Sequence, residues 1–101
     1  MARSKVFQSL VDSDPQNVMF RFSLGQALWQ EGDAKAACEH LLCATEAKLD
    51  WMMPRILLGK CYLSLQQKEQ AKVAFAEALQ LAIAQGHEEP EVELRDLISN
   101  L

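Results

Sequence analysis

The sequence predicts an all-α fold in which paired helices stack into an α-α superhelix. Three observations carry this. Helix formers dominate, and glycine and proline together contribute 4 and 3 of 101 residues. The chain aligns with itself when residue 18 is laid on residue 52. Within each aligned segment the matching residues fall at i, i+3, i+4, i+7, the spacing of one helix face.

The repeat is concrete. Segments 18–51 and 52–85 share Met19/Met53, Arg21/Arg55, Leu24/Leu58, Gly25/Gly59, Ala37/Ala71 and Ala44/Ala78. Leu28 aligns with Tyr62 and Leu41 with Phe75. Residues 21, 24, 25 and 28 form one stripe, and 37, 41 and 44 form a matching one on the next segment. Two packed helices per repeat follow. A helix-interior glycine costs about 1 kcal/mol against alanine. Gly25 is therefore expected to pack on the Ala37/Ala44 face and Gly59 on the Ala71/Ala78 face, where a missing Cβ lets the helix axes close up.

The pattern resembles the tetratricopeptide repeat (TPR) family, whose repeat of about 34 residues reads W-x2-L-G-x2-Y, then A-x3-F and a later A and P. Here the first repeat reads R-F-S-L-G-Q-A-L and the second R-I-L-L-G-K-C-Y. Arginine stands twice for the signature tryptophan, and Leu49 and Ile83 replace the closing proline. Asp14-Pro15-Gln16-Asn17 looks like the family's entry into a repeat. The resemblance covers residues 14–86 and implies a TPR solenoid.

The elements follow in order. Val6, Phe7, Leu10 and Val11 mark a first helix at 4–11, the second half of a lost repeat. Helices are expected at 16–31 and 34–48, separated by a left-handed Gly32 and an N-capping Asp33. The next pair spans 52–65 and 68–85, with Pro54 early enough to delay the fourth helix by a residue or two. Gly86 ends the fifth helix, and Pro90 opens a sixth at 90–100. Leu94, Leu97, Ile98 and Leu101 give that last helix one apolar face on an acidic body, as a solenoid cap requires. The whole chain, 1–101, is then one domain.

Function is expected at a surface. The formal charge is −4, and residues 87–101 hold five acids against Arg95, so the rest is neutral by count. No basic patch exists for nucleic acid or an anionic membrane, and neither a signal peptide nor a membrane-spanning run is visible. Cys38, Cys43 and Cys61 read as reduced thiols of a cytoplasmic protein. On a helix Cys38 and Cys43 lie about 140° apart and His40 about 160° from Cys38, so no metal site or nucleophile forms. No cofactor, metal or catalytic residue is expected, and the carboxylates at 88, 89, 91 and 93 read as a solvated face.

The TPR resemblance implies that a second stripe lines a concave groove for extended peptides or helices. It consists of Met19, Phe22, Gln26 and Trp29, and of their counterparts in the next repeat, Met53, Ile56, Lys60 and Leu63. Six of these eight are apolar. The lysine-and-asparagine clamp of carboxylate-gripping TPR domains is missing, since Phe22 and Gln26 occupy the corresponding places and Lys60 is the only cation. The expectation is a non-enzymatic module, monomer or weak homodimer, that binds an apolar segment of another protein. The alternative is a structural homo-oligomer that buries the same stripe or the solenoid edge.

Overall fold

The computed structural model describes residues 2–101. Their backbone forms six α-helices: α1 (Arg3–Ser13), α2 (Val18–Gln30), α3 (Ala34–Ala47), α4 (Met52–Ser64), α5 (Lys68–Gln85) and α6 (Glu88–Ser99). No strand is found among the described residues. Each helix packs on the next in the chain, and α2 also touches α4, the adjacency of a stack of helical pairs. The body measures 38 × 28 × 19 Å.

Local chemistry sets the helix ends. Asn17 Oδ1 accepts the Phe20 N–H at 3.1 Å, so α2 begins at Val18 rather than at residue 16. Asp33 Oδ1 accepts the Ala36 N–H at 3.1 Å and starts α3. Gly32 (φ +90) and Gly86 (φ +70) stop α2 and α5 in the left-handed region. Pro54 delays nothing: it is the third residue of α4, where a backbone N–H has no partner within the helix anyway. The same holds for Pro90, third in α6, so that helix opens two residues earlier than expected, at Glu88. Glu88, Glu89 and Glu91 occupy its first turn, where the helix dipole favours negative charge.

The turn between α4 and α5 follows the one between α2 and α3 with poorer residues. Gln66 stands one repeat after Gly32 and takes φ +63, making it the only non-glycine with positive φ among the described residues. Gln67, in the place of Asp33, caps α5 without a side-chain hydrogen bond. Both turns close alike: Asp33 N–H donates to Leu28 O and Gln67 N–H to Tyr62 O, each at 2.9 Å.

The core is divided along the stack. One cluster joins α3 to α4 through Ala37, Cys38, Leu41, Leu57, Leu58 and Cys61, with Leu28 and Trp29 against it. The other joins α4 and α5 to α6 through Ile56, Ala71, Phe75, Ala78, Ala82 and Leu94. Leu94 is fully buried, and Leu97, Ile98 and Leu101 flank it, so the apolar face of α6 covers the end of the solenoid. At the other end, Ser4 donates from N and Oγ to the Glu31 carboxylate (3.0 and 2.6 Å), tying α1 to the end of α2. Those two bonds hold the Glu31 carboxyl below its usual range.

The glycines pack differently from the small-on-small contact expected. A Cβ on Gly25 would stand 2.8 Å from Leu41 Cγ, with Ala37 O at 3.4 Å. A Cβ on Gly59 would meet the Phe75 ring, 2.6 Å from Cδ1. Each glycine is the hole that receives the large residue of the A-x3-(L/F) motif, while Ala37, Ala44, Ala71 and Ala78 are fully buried around it.

Candidate functional site

Met19, Phe22, Gln26 and Trp29 lie on α2, and Met53, Ile56, Lys60 and Leu63 on α4. Their exposure divides them. Met19 (54%) and Met53 (47%) stand in solvent, one repeat apart on neighbouring helices. Phe22, Gln26, Trp29, Lys60 and Leu63 are half-buried. Phe22 tilts against Trp51 with ring centroids 4.8 Å apart, and Trp29 leans on the α3/α4 core.

Two residues depart from the role expected of them. Ile56 is only 7% exposed, packed in the cluster that α6 closes, and so contributes to the stack rather than to an open surface. Lys60 is not a free cation: its Nζ lies 3.2 Å from Glu93 Oε1 of α6. Both partners are substantially exposed, so the pair orients Lys60 more than it stabilises the fold. The exposed apolar residues of the face are thus Met19 on α2 and Met53 on α4, with Phe22 and Trp29 half-buried on α2 and Lys60 of α4 paired to Glu93.

Sequence reasoning placed Arg21 and Arg55 on the inward stripe and gave them no task. In the structure each reaches back six residues to a loop carbonyl: Arg21 Nε donates to Pro15 O and Arg55 Nη2 to Leu49 O, both at 3.3 Å. The two bonds are related by the repeat itself, which was the available signal. Arginine in the tryptophan place therefore ties down the loop entering each repeat. Their second partners differ. Arg21 Nη1 lies 3.3 Å from His40 Nδ1, whereas Arg55 Nη1 pairs with Glu77 at 3.3 Å. Arg55 Nε is buried without an acceptor.

A cleft of about 380 Å³ opens beside Arg55, on the α3/α5 side of the stack. Leu42, Thr45 and Glu46 of α3 form one wall, and Glu69, Gln70, Val73, Ala74 and Glu77 of α5 the other. Arg55, Leu58 and Tyr62 of α4 make its floor. Nothing in the periodicity announced it, because a groove between alternate helices depends on what the intervening residues leave unfilled.

Two of the three thiols, Cys38 and Cys61, are buried. Burial pushes the Cys61 thiol up to about 12, with the Cys38 sulfur adding to the effect, and burial raises Cys38 as well. A raised thiol holds less of the nucleophilic thiolate. No group of three His, Cys, Asp or Glu suited to a metal ion exists among the described residues. Among them, too, no helix is long and apolar enough to cross a membrane.

Comparison with known proteins agrees with this architecture. Residues 55–82 match the tetratricopeptide repeat model. No curated protein sequence matches the chain. Among solved structures, PcrH in complex with the chaperone binding region of PopD superposes with a TM-score of 0.90 at 21% identity, covering 96% of this chain and 74% of that one. PcrH from Pseudomonas aeruginosa gives 0.87 at 21% identity with the same coverage. A T3SS complex from Aeromonas hydrophila gives 0.89 at 23% identity, over 95% of this chain and 65% of the other.

Proposed function

We propose that this chain, which carries a tetratricopeptide repeat within an all-α superhelix, is a non-enzymatic module that binds an apolar segment of another protein along α2 and α4. The observation that carries the reading is the repeat-related pair Met19 and Met53. Both stay exposed while the other apolar residues of the two stripes are at least half withdrawn. Methionine is flexible and polarizable, and it suits a surface that must accept an apolar chain of variable shape. Phe22 and Trp29 stiffen the strip, and the Lys60–Glu93 pair presents polar groups to a bound backbone. The fold supports the reading too, since PcrH has been solved holding the chaperone binding region of PopD and, in another structure, that of PopB. Location in the cytoplasm belongs to the same proposal.

The test is selection of random peptides displayed on phage, followed by titration of the winners. Apolar peptides are expected, and the double substitution Met19→Glu/Met53→Glu should weaken them at least about tenfold with helicity unchanged. Equal binding to the variant sinks the reading. Ile56 is unsuitable for this purpose, because a charge there would strike the core. Sedimentation of the free chain addresses self-association: a stable dimer that the same two substitutions dissolve would replace a foreign partner by a second copy.

A further inference from the structure

We propose that the cleft between α3 and α5 is a second docking surface, and that it takes a basic amphipathic helix of another protein. The helix would insert one large apolar side chain and flank it with Lys or Arg. The cleft is separate from the α2/α4 strip and does not depend on the function proposed for that strip.

The chain contains its own control. One repeat earlier, the equivalent place lies between α1 and α3 and is floored by α2. Ala74 there becomes His40, whose half-buried ring meets Arg21 at 3.3 Å. Val73 becomes Glu39, Leu42 becomes Gln8, and Glu69 becomes Lys35. The earlier place therefore carries charges of both signs, Asp12 and Glu39 against Arg21 and Lys35, and lacks the apolar pair on its rim, although Val11, Ala36 and Cys43 stand there for Thr45, Gln70 and Glu77. The later one has alanine in the place of the imidazole, Leu42 and Val73 on its rim and a net acidic lining, although both use an arginine at the same position of the repeat.

Three features of the later cleft specify its occupant. Its volume, about 380 Å³, lies within the range of side-chain and small-ligand pockets. Leu42 (39%) and Val73 (59%) face each other's helices from solvent, an apolar rim that water covers at a cost. The charged residues of the lining are Glu46, Glu69 and Glu77 against Arg55 alone, and Arg55 is already paired with Glu77. Glu46 and Glu69 are exposed on opposite walls. An apolar anchor between two carboxylates calls for cations on either side of the inserted side chain, and an acidic segment would be repelled. A helix suits the groove because two parallel walls of helix present ridges to either side of it.

The probe is a labelled peptide of about 15 residues, with Leu at i, i+3, i+4 and i+7 and Lys elsewhere, beside a counterpart in which every Lys is Glu. The Lys peptide is expected to bind at least about tenfold more tightly, and to weaken as salt is raised. Glu69→Lys/Val73→Ser on one wall, and separately Leu42→Ser on the other, should each reduce its affinity. All three positions are exposed, so the fold survives. Backbone amide shifts should cluster around Leu42 and Val73. Shifts confined to the acidic α6 or to the α2/α4 strip would overturn the proposal, as would equal binding of the Glu peptide. So would a dimer of the free chain that buries Leu42 and Val73, since the occupant would then be a second copy.

Discussion

Gly59 lies under the ring of Phe75 so closely that a Cβ on the glycine would stand 2.6 Å from Cδ1 and 2.9 Å from Cζ. The ring is fully buried and has nowhere to move. Helix propensity favours alanine by about 1 kcal/mol, but overpacking a full core costs about 1–3 kcal/mol. Gly59→Ala should therefore lower stability by about 1 kcal/mol net despite the better helix former. Urea unfolding measures it. The loss should shrink in a Phe75→Leu background, because the two positions are coupled. A stabilised Gly59→Ala protein would refute the close approach.

The turn between α4 and α5 can be improved by copying the one before it. Gln66 holds a left-handed backbone that its Cβ disfavours, and the Gln67 side chain makes no capping hydrogen bond. Gln66→Gly removes the steric cost, and Gln67→Asp supplies a hydrogen bond like that of Asp33 to Ala36. Each change should add about 0.5–1 kcal/mol, and in a domain of this size 1 kcal/mol raises Tm by about 4–8 °C. Thermal melts of the single and double variants decide it. No rise in either would mean that the turn is already unstrained.

These two cases also mark what was legible beforehand. The repeat step and the 3.6 period located six helices, the Gly32 and Asp33 turn, and the covering role of Leu94, because each depends on local chemistry or on one face of one helix. The spacing marks Gly25 as a packing residue on the Ala37/Ala44 face, and the structure fills the gap with Leu41, which lies between those alanines. Spacing shows which face meets which, and says nothing of whether Leu41 or its alanine neighbours fill the gap. Spacing alone leaves Ile56 and Lys60 open for the same reason. Their burial and pairing come from α6, which starts at Glu88, two positions beyond where the repeat step from the start of α4 would put it. The α3/α5 cleft is not legible in the spacing, since it depends on the space that side chains of α3, α4 and α5 leave between them.

Thiol reactivity should separate the three cysteines. Cys43 is exposed, whereas Cys38 and Cys61 are buried and their thiols raised by burial, Cys61 to about 12. Attack by a disulfide reagent requires an accessible thiolate. In the folded protein at mildly alkaline pH, one thiol should react quickly, and Cys43→Ser should abolish that phase. The other two should react only as fast as the protein opens, and at once in denaturant. Two or more fast thiols in the native protein would contradict the buried pair.

Stability should acquire a pH dependence from His40. Burial first, and then the Arg21 guanidinium, lower its pKa below the ordinary 6.5. Arg21 can only donate, so His40 Nδ1 must accept, and the ring is neutral in the fold. The unfolded chain takes up the proton near 6.5 and the folded one only at lower pH, so between the two values the unfolded state binds more protons. The contribution is complete above the unfolded value and is lost as pH falls through 6.5 toward the folded value. Urea midpoints of the parent and of His40→Gln, taken from about pH 7.5 down to about pH 5, should therefore converge or cross in the parent's disfavour as acid is added. A midpoint difference that stays constant over that window would show that the imidazole titrates alike in both states, and with it that the Arg21–His40 contact does not hold the ring neutral.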